Sequence, residues 1–153
     1  MSANKISNVV INKMQLKLPS LSANEGMARA AVAAFVSQLD PTAVELADIK
    51  CAISEAVTNA IVHAYRYTQG YININVWLLD GRSVKIEIRD KGCGIENVKL
   101  ARQPLYTTDR ESERSGMGFT VMESFMDKIK VASKVGRGTS VTLYKILSER
   151  SIT

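Results

Sequence analysis

Alternation comes first along this chain. From Met14 the segment MQLKL places apolar side chains at every second residue, which predicts a short β-strand. Residues 1–13 are Ser/Asn-rich and are expected to form a disordered leader. A helical period then takes over. Ser22-Ala-Asn-Glu25 has capping-box spacing and opens an Ala-rich helix to about Leu39. Asp40-Pro41 restarts the chain, with Pro41 suited to a first helical turn. Thr42-Ala-Val-Glu45 offers a second capping box, for a long helix reaching about Tyr65.

Two alternating segments follow, YININVWLL (71–79) and RSVKIEIRD (82–90), joined by the hairpin signature Asp80-Gly81. After them come a glycine-broken loop, DKGCGI (90–95), a helix-like ENVKLAR (96–102) and an irregular charged stretch (103–116). A helix is predicted over GMGFTVMESFM (116–126). A second hairpin pairs IKVASK (129–134) with TSVTLYKIL (139–147) across Gly136-Arg137-Gly138. The order strand, two helices, hairpin, loop, helix, hairpin predicts an α/β two-layer sandwich: a mostly antiparallel sheet covered by helices on one face. One domain is expected over 14–147, with a tail at 148–153.

Composition adds exclusions. At 153 residues and 46% apolar, the chain can bury one proper core. No stretch approaches the roughly 20 apolar residues of a membrane span, and the N-terminus lacks the apolar block of a secretory signal. Cys51 and Cys93 sit in unrelated contexts, so no disulfide framework is expected and a reducing cytoplasm is. The net charge is +5, and Lys5, Lys13 and Lys17 supply three of those charges before the first helix. The rest is interspersed with acids, without a basic run or interleaved aromatics. That pattern points away from nucleic acid and toward an acidic protein partner.

Candidate chemistry lies in three places. ISEAVTNAIVHAY (53–65) carries Glu55, Asn59 and His63 four residues apart, on one stripe of a helix otherwise built for burial. Glu55 and Asn59 could satisfy neighbouring backbone or face water. The other reading is a Mg²⁺ and water site, the amide oxygen as a hard neutral ligand and the carboxylate as a proton acceptor. His63 reads better as packed or hydrogen-bonded. Asp90-Lys91-Gly92-Cys93-Gly94 is either a tight turn or a loop that a ligand approaches closely. Ser115-Gly116-Met117-Gly118 opens a helix, where free amides make either an anion site or a plain cap. Between the glycine loops lies a segment dense in charge at its end (Asp109, Arg110, Glu111, Glu113, Arg114), a solvated loop or a closing lid. Arg114 is the better placed arginine for phosphoryl charge.

Taken in order, helical E-x-x-x-N, D-x-G-x-G after a strand, a lid, G-x-G at a helix start and G-T in the last hairpin resemble the GHKL ATPase/kinase superfamily. The likeness spans roughly 14–147. Within it, LPSLSANEGMARAAVAAFVSQLDP, ISEAVTNAIVHAY, RQPLYTT and ERSGMGFTVMESFMD are similar to the small serine-protein kinases that act as anti-sigma factors in endospore-forming bacteria. The resemblance implies ATP/ADP and Mg²⁺ as cofactors. Asn59 would ligate the metal, and Glu55 would be the general base. Asp90 would accept from the adenine amino group, with Gly92 and Gly94 shaping that pocket and Thr139 assisting. Gly116, Met117 and Gly118 would offer amides to the phosphates, and Arg114 would reach the γ-phosphate. It further implies a cytoplasmic homodimer that holds a sporulation sigma factor when ATP is bound and phosphorylates a serine of an anti-anti-sigma antagonist, with no direct nucleic acid or membrane partner. The alternative is a non-catalytic, nucleotide-dependent sigma-binding module.

Overall fold

The computed structural model describes residues 5–65, 68–103 and 118–149. Strand β1 (Val10–Pro19) leads into helix α1 (Asn24–Val36) and a short 3-10 turn (Ser37–Leu39). Helix α2 (Ala43–Asn59) continues directly into a π-helical turn (Ala60–Ala64). The hairpin β2 (Tyr71–Leu79) and β3 (Ser83–Asp90) is followed by a one-turn helix α3 (Val98–Ala101). Helix α4 (Gly118–Phe125) and the hairpin β4 (Lys128–Lys134) and β5 (Gly138–Ile146) complete the described chain. The sheet has the order β1-β2-β3-β5-β4, and every neighbouring pair is antiparallel.

Period-two alternation decides which face is covered. Ile72, Ile74, Val76 and Leu78 of β2, Val84, Ile86 and Ile88 of β3, and Val141 and Leu143 of β5 all point to one side and are buried. They meet Val32 and Val36 of α1, Ile49, Ile53 and Val57 of α2, and Met122 of α4 in one continuous core. The helices therefore lie on a single face, giving the two-layer α/β sandwich that the element order predicts.

The two predicted capping boxes fare differently. Thr42 and Glu45 form theirs: the Glu45 amide donates to Thr42 Oγ1 at 3.1 Å, and the Thr42 amide donates to Glu45 Oε1 at 2.9 Å. Ser22 does not cap α1. The helix starts one residue later, behind Ala23, with no side-chain cap. The acid that the box needs is engaged elsewhere, since Glu25 pairs with Arg29 at 3.0 Å, while Asn24 donates to the Pro19 carbonyl at 2.9 Å. The first strand also begins at Val10 rather than Met14, so the leader ends earlier than residue 13. β2 is nine residues long and takes a partner along its whole length, Val10 opposite Leu79 and Pro19 opposite Tyr71, with a bulge between Val10 and Asn12.

Candidate functional site

The buried side of α2 is set by Ile49, Ile53, Ala56 and Val57, and Glu55 and Asn59 lie beside that stripe, both half-buried. Asn59 is the last α-helical residue. The chain then widens into the π turn, where the Tyr65 amide donates to the Ala60 carbonyl, five residues back, at 3.2 Å. Such π-turns are frequent at functional sites because they re-aim the side chains around them.

The first glycine of α4 comes to this stripe. A β-carbon built on Gly118 would lie 3.1 and 3.2 Å from the two terminal atoms of the Asn59 amide and 3.4 Å from Glu55 Oε2. The missing side chain thus lets the α4 backbone come close to one amide and one carboxylate. Among the described residues no three His, Cys, Asp or Glu side chains cluster around one point. A single amide oxygen with one carboxylate nearby suits Mg²⁺, which keeps several waters and takes substrate phosphates as ligands. The residues present fit such a group.

The second part of the site is the loop after β3. Asp90 is paired with Ile72 on one side and Thr139 on the other. Its Oδ1 accepts from the Gly92 amide at 2.9 Å and the Thr139 amide at 3.2 Å. Burial pushes the Asp90 carboxyl above the usual carboxylate range, and the two amide bonds only partly oppose it. Gly92 is required by proximity: a β-carbon there would lie 2.3 Å from the Ala64 carbonyl oxygen, at the end of the π turn. The Cys93 amide donates to that same oxygen at 2.9 Å, and the Gly136 amide donates to the Cys93 carbonyl at 2.8 Å. The carbonyl of His63 accepts from Cys93 Sγ at 3.2 Å. Gly94 adopts a φ of 78°, in the left-handed region that glycine favours. The loop is therefore clamped between the π turn and the β4–β5 turn.

Two residues of this clamp escaped the sequence reading. Tyr65 Oη accepts from the Lys91 amide at 2.7 Å and donates to the Tyr71 carbonyl at 2.8 Å, tying the loop to the start of β2. Ser133 Oγ accepts from the Ile95 amide at 2.7 Å and lies 2.8 Å from Thr139 Oγ1. A serine at an inward position of the alternating IKVASK strand was the available signal for the second; Tyr65 gave none. Arg114, Gly116 and Met117 lie outside the described residues, as does the expected lid between Gly94 and Gly116 beyond residue 103.

The raised Asp90 carboxyl yields a pH-dependent expectation. For an acid whose folded pKa exceeds its unfolded value, ionisation costs stability above the folded pKa, and the cost vanishes below the unfolded one. Asp90→Asn should therefore raise Tm relative to the unmodified protein at neutral pH, and the gain should shrink as the pH falls toward about 3.9. The same variant should weaken nucleotide binding, a trade of stability against function. Paired thermal melts across pH, with and without nucleotide, check both.

Residues 18–145 match the family described as histidine kinase-like ATPase domain. The chain is 55% identical over 139 residues to the anti-sigma F factor of Anoxybacillus flavithermus, covering 90% of this chain and 94% of that protein. It is 54% identical to the anti-sigma F factor of Caldanaerobacter subterraneus, covering 89% and 94%. Its fold is shared with the RsbU and RsbW domains of a Mycobacterium tuberculosis protein, at a TM-score of 0.68 and 21% identity, covering 92% of this chain and 34% of that one. A blue-light-activated histidine kinase domain from Erythrobacter litoralis aligns at a TM-score of 0.53 and 16% identity, covering 80% and 61%. No described helix is long and apolar enough to cross a membrane. With a matching domain over 18–145 and relatives this similar along nearly their whole length, the chain belongs to the histidine kinase-like ATPase domain family and, within it, to the anti-sigma F factors.

Proposed function

We propose that this protein is an ATP-dependent protein-serine kinase that holds a sigma factor in its ATP-bound state and phosphorylates a serine of an antagonist protein. The observation that carries the catalytic half is the meeting of Glu55 and Asn59 at Gly118, a carboxylate and an amide both within 3.4 Å of where a β-carbon on that glycine would lie. Nucleotide binding alone needs no base there. Glu55 accepts the proton of the attacking serine hydroxyl. Asn59 would hold Mg²⁺ through its amide oxygen, and that ion would supply neutralisation of phosphate charge. Gly116, Met117 and Gly118 present backbone amides to the phosphates, and Arg114 adds its guanidinium at the γ-phosphate.

Asp90 keeps Oδ2 for the exocyclic amino group of adenine, since both of its amide bonds fall on Oδ1. Gly92, Gly94 and Thr139 complete that pocket. Catalysis rests mainly on positioning and charge neutralisation. The names of the relatives support a sigma factor as the partner held; the assembly proposed to hold it is a homodimer.

Two measurements test this. Mg²⁺-ATP at about 100 times its Kd should raise Tm by about 5–10 °C. Incubation with ATP and the antagonist should yield phosphoserine on the antagonist. A melting shift and sigma binding without phosphoserine would instead establish a nucleotide-dependent binding module. No shift would remove the nucleotide reading altogether.

A further inference from the structure

Among the described residues, the face of the sheet opposite the helices is strongly basic. The strand registers direct Lys13 and Lys17 of β1, Lys85 and Arg89 of β3, and Lys128, Lys130 and Lys134 of β4 outward, away from the helices. The strands' outward positions hold one acid, Glu87, which accepts from Asn75 Nδ2 at 3.3 Å. Seven cations and one acid therefore share the outward strand positions. Pairing across strands made this patch, because its members are scattered from residue 13 to residue 134.

The ammonium groups are also held in place. Lys13 and Lys85 lie over the Trp77 ring, 4.9 and 4.7 Å from its centroid. Lys85, Lys128 and Lys130 surround the Tyr144 ring at 5.9, 5.7 and 5.8 Å. Each ring attracts cations through its quadrupole and restrains flexible side chains that would otherwise spread. Residues 5–8 border the same end of the face and help enclose a cavity of about 540 Å³, lined by Lys5, Trp77, Lys85, Lys128, Lys130 and Tyr144. Asp127 also lines it, but its Oδ2 accepts from the Ile146 amide at 2.6 Å.

We propose that this face docks an extended, acidic segment of a partner protein, its carboxylates seated on the lysines around Trp77 and Tyr144. Lys128 and Lys130 are two residues apart on a strand, so their side chains repeat at roughly 6.6–6.8 Å. Acidic side chains on alternate residues of an extended segment repeat at the same interval. A second copy of this chain would bring seven cations against seven. A single-stranded nucleic acid gains its sequence-tolerant affinity by stacking bases on aromatic faces, whereas here lysines already occupy the ring surroundings. The face lies across the sheet from Glu55 and Asn59, so its occupant is independent of the nucleotide.

Trp77 is the only tryptophan in the chain and reports directly on the patch. The probe is a twelve-residue Ser-Glu repeat peptide, titrated into the full chain, with a Ser-Lys repeat peptide as control. The acidic peptide should change Trp77 emission saturably at about 50 mM salt. The apparent Kd should rise at least fivefold at about 200 mM salt. Lys85→Glu and Lys130→Glu should each weaken it at least fivefold with unchanged circular dichroism, and Lys50→Glu on α2 less than twofold. If a variant fails to fold, the two peptides on the unmodified protein still decide. No saturable change with the acidic peptide overturns the proposal. So does tighter binding of a twelve-nucleotide oligothymidylate, or a protein-concentration-dependent Trp77 shift without peptide, which would assign the face to a second copy.

Discussion

Glu55→Gln should lower phosphoryl transfer to the antagonist by about 10²–10⁴-fold, the usual contribution of a positioned general base. The substitution is nearly isosteric and keeps a polar atom where Glu55 Oε2 lies, 3.4 Å from a β-carbon built on Gly118. Nucleotide affinity and the ATP-induced melting shift should therefore stay within about twofold of the unmodified protein, because only the transition state loses an interaction. Single-turnover transfer, measured beside nucleotide titration, separates the two. Equal loss of binding and transfer would recast Glu55 as a residue that holds the nucleotide. Unchanged transfer would remove it from the chemistry and revive the binding-module reading.

The second large effect concerns backbone proximity. In Gly92→Ala the new β-carbon would sit 2.3 Å from the Ala64 carbonyl oxygen and 2.6 Å from the Ala64 β-carbon. Main chain cannot rotate away as a side-chain end can, so the loop must move off the π turn. That breaks the Cys93–Ala64 bond and destabilises by about 1–3 kcal/mol. Asp90 and Thr139 share this loop's hydrogen bonds, so nucleotide affinity should fall with stability. Gly81→Ala makes the control. Gly81 has a φ of 76° with nothing within 4 Å of a built β-carbon, so it should cost only the left-handed penalty of about 1–2 kcal/mol and leave nucleotide binding alone. Urea unfolding with nucleotide titration on both variants tests the contrast.

What could be read beforehand was whatever depends on neighbours in sequence. The alternation of YININVWLL and RSVKIEIRD, the Asp80-Gly81 turn and the Thr42–Glu45 box all act within a few residues, and each formed. The Glu55–Asn59 stripe was visible for the same reason. What could not be read depends on pairing across the fold. Ser22 and Glu25 had the right spacing, yet Arg29 competed for the carboxylate. The start of β1 was set by the length of β2, not by its own pattern. The basic face is a product of register between strands far apart in sequence, which is why an inventory of charge along the chain found no basic run. Tyr65 became a clamp only because the loop after β3 folds back under it.

The π turn after Asn59 makes this arrangement sensitive to chain length as well as to composition. Tyr65 bonds five residues back instead of four, so the turn behaves as a one-residue insertion into α2. Deleting Val62 would let the helix close with regular α geometry. The Tyr65 amide would still meet the Ala60 carbonyl, now four residues back, and only a second deletion would rotate everything beyond by about 100° and withdraw it by about 1.5 Å. Asn59 would stay where it is, but the Tyr65 hydroxyl would swing off Lys91 and Tyr71, and the Ala64 carbonyl would leave Cys93. The two halves of the site are thus kept in phase by a count of residues, so a length change beyond that one-residue slack should be tolerated far less readily than substitutions within the turn.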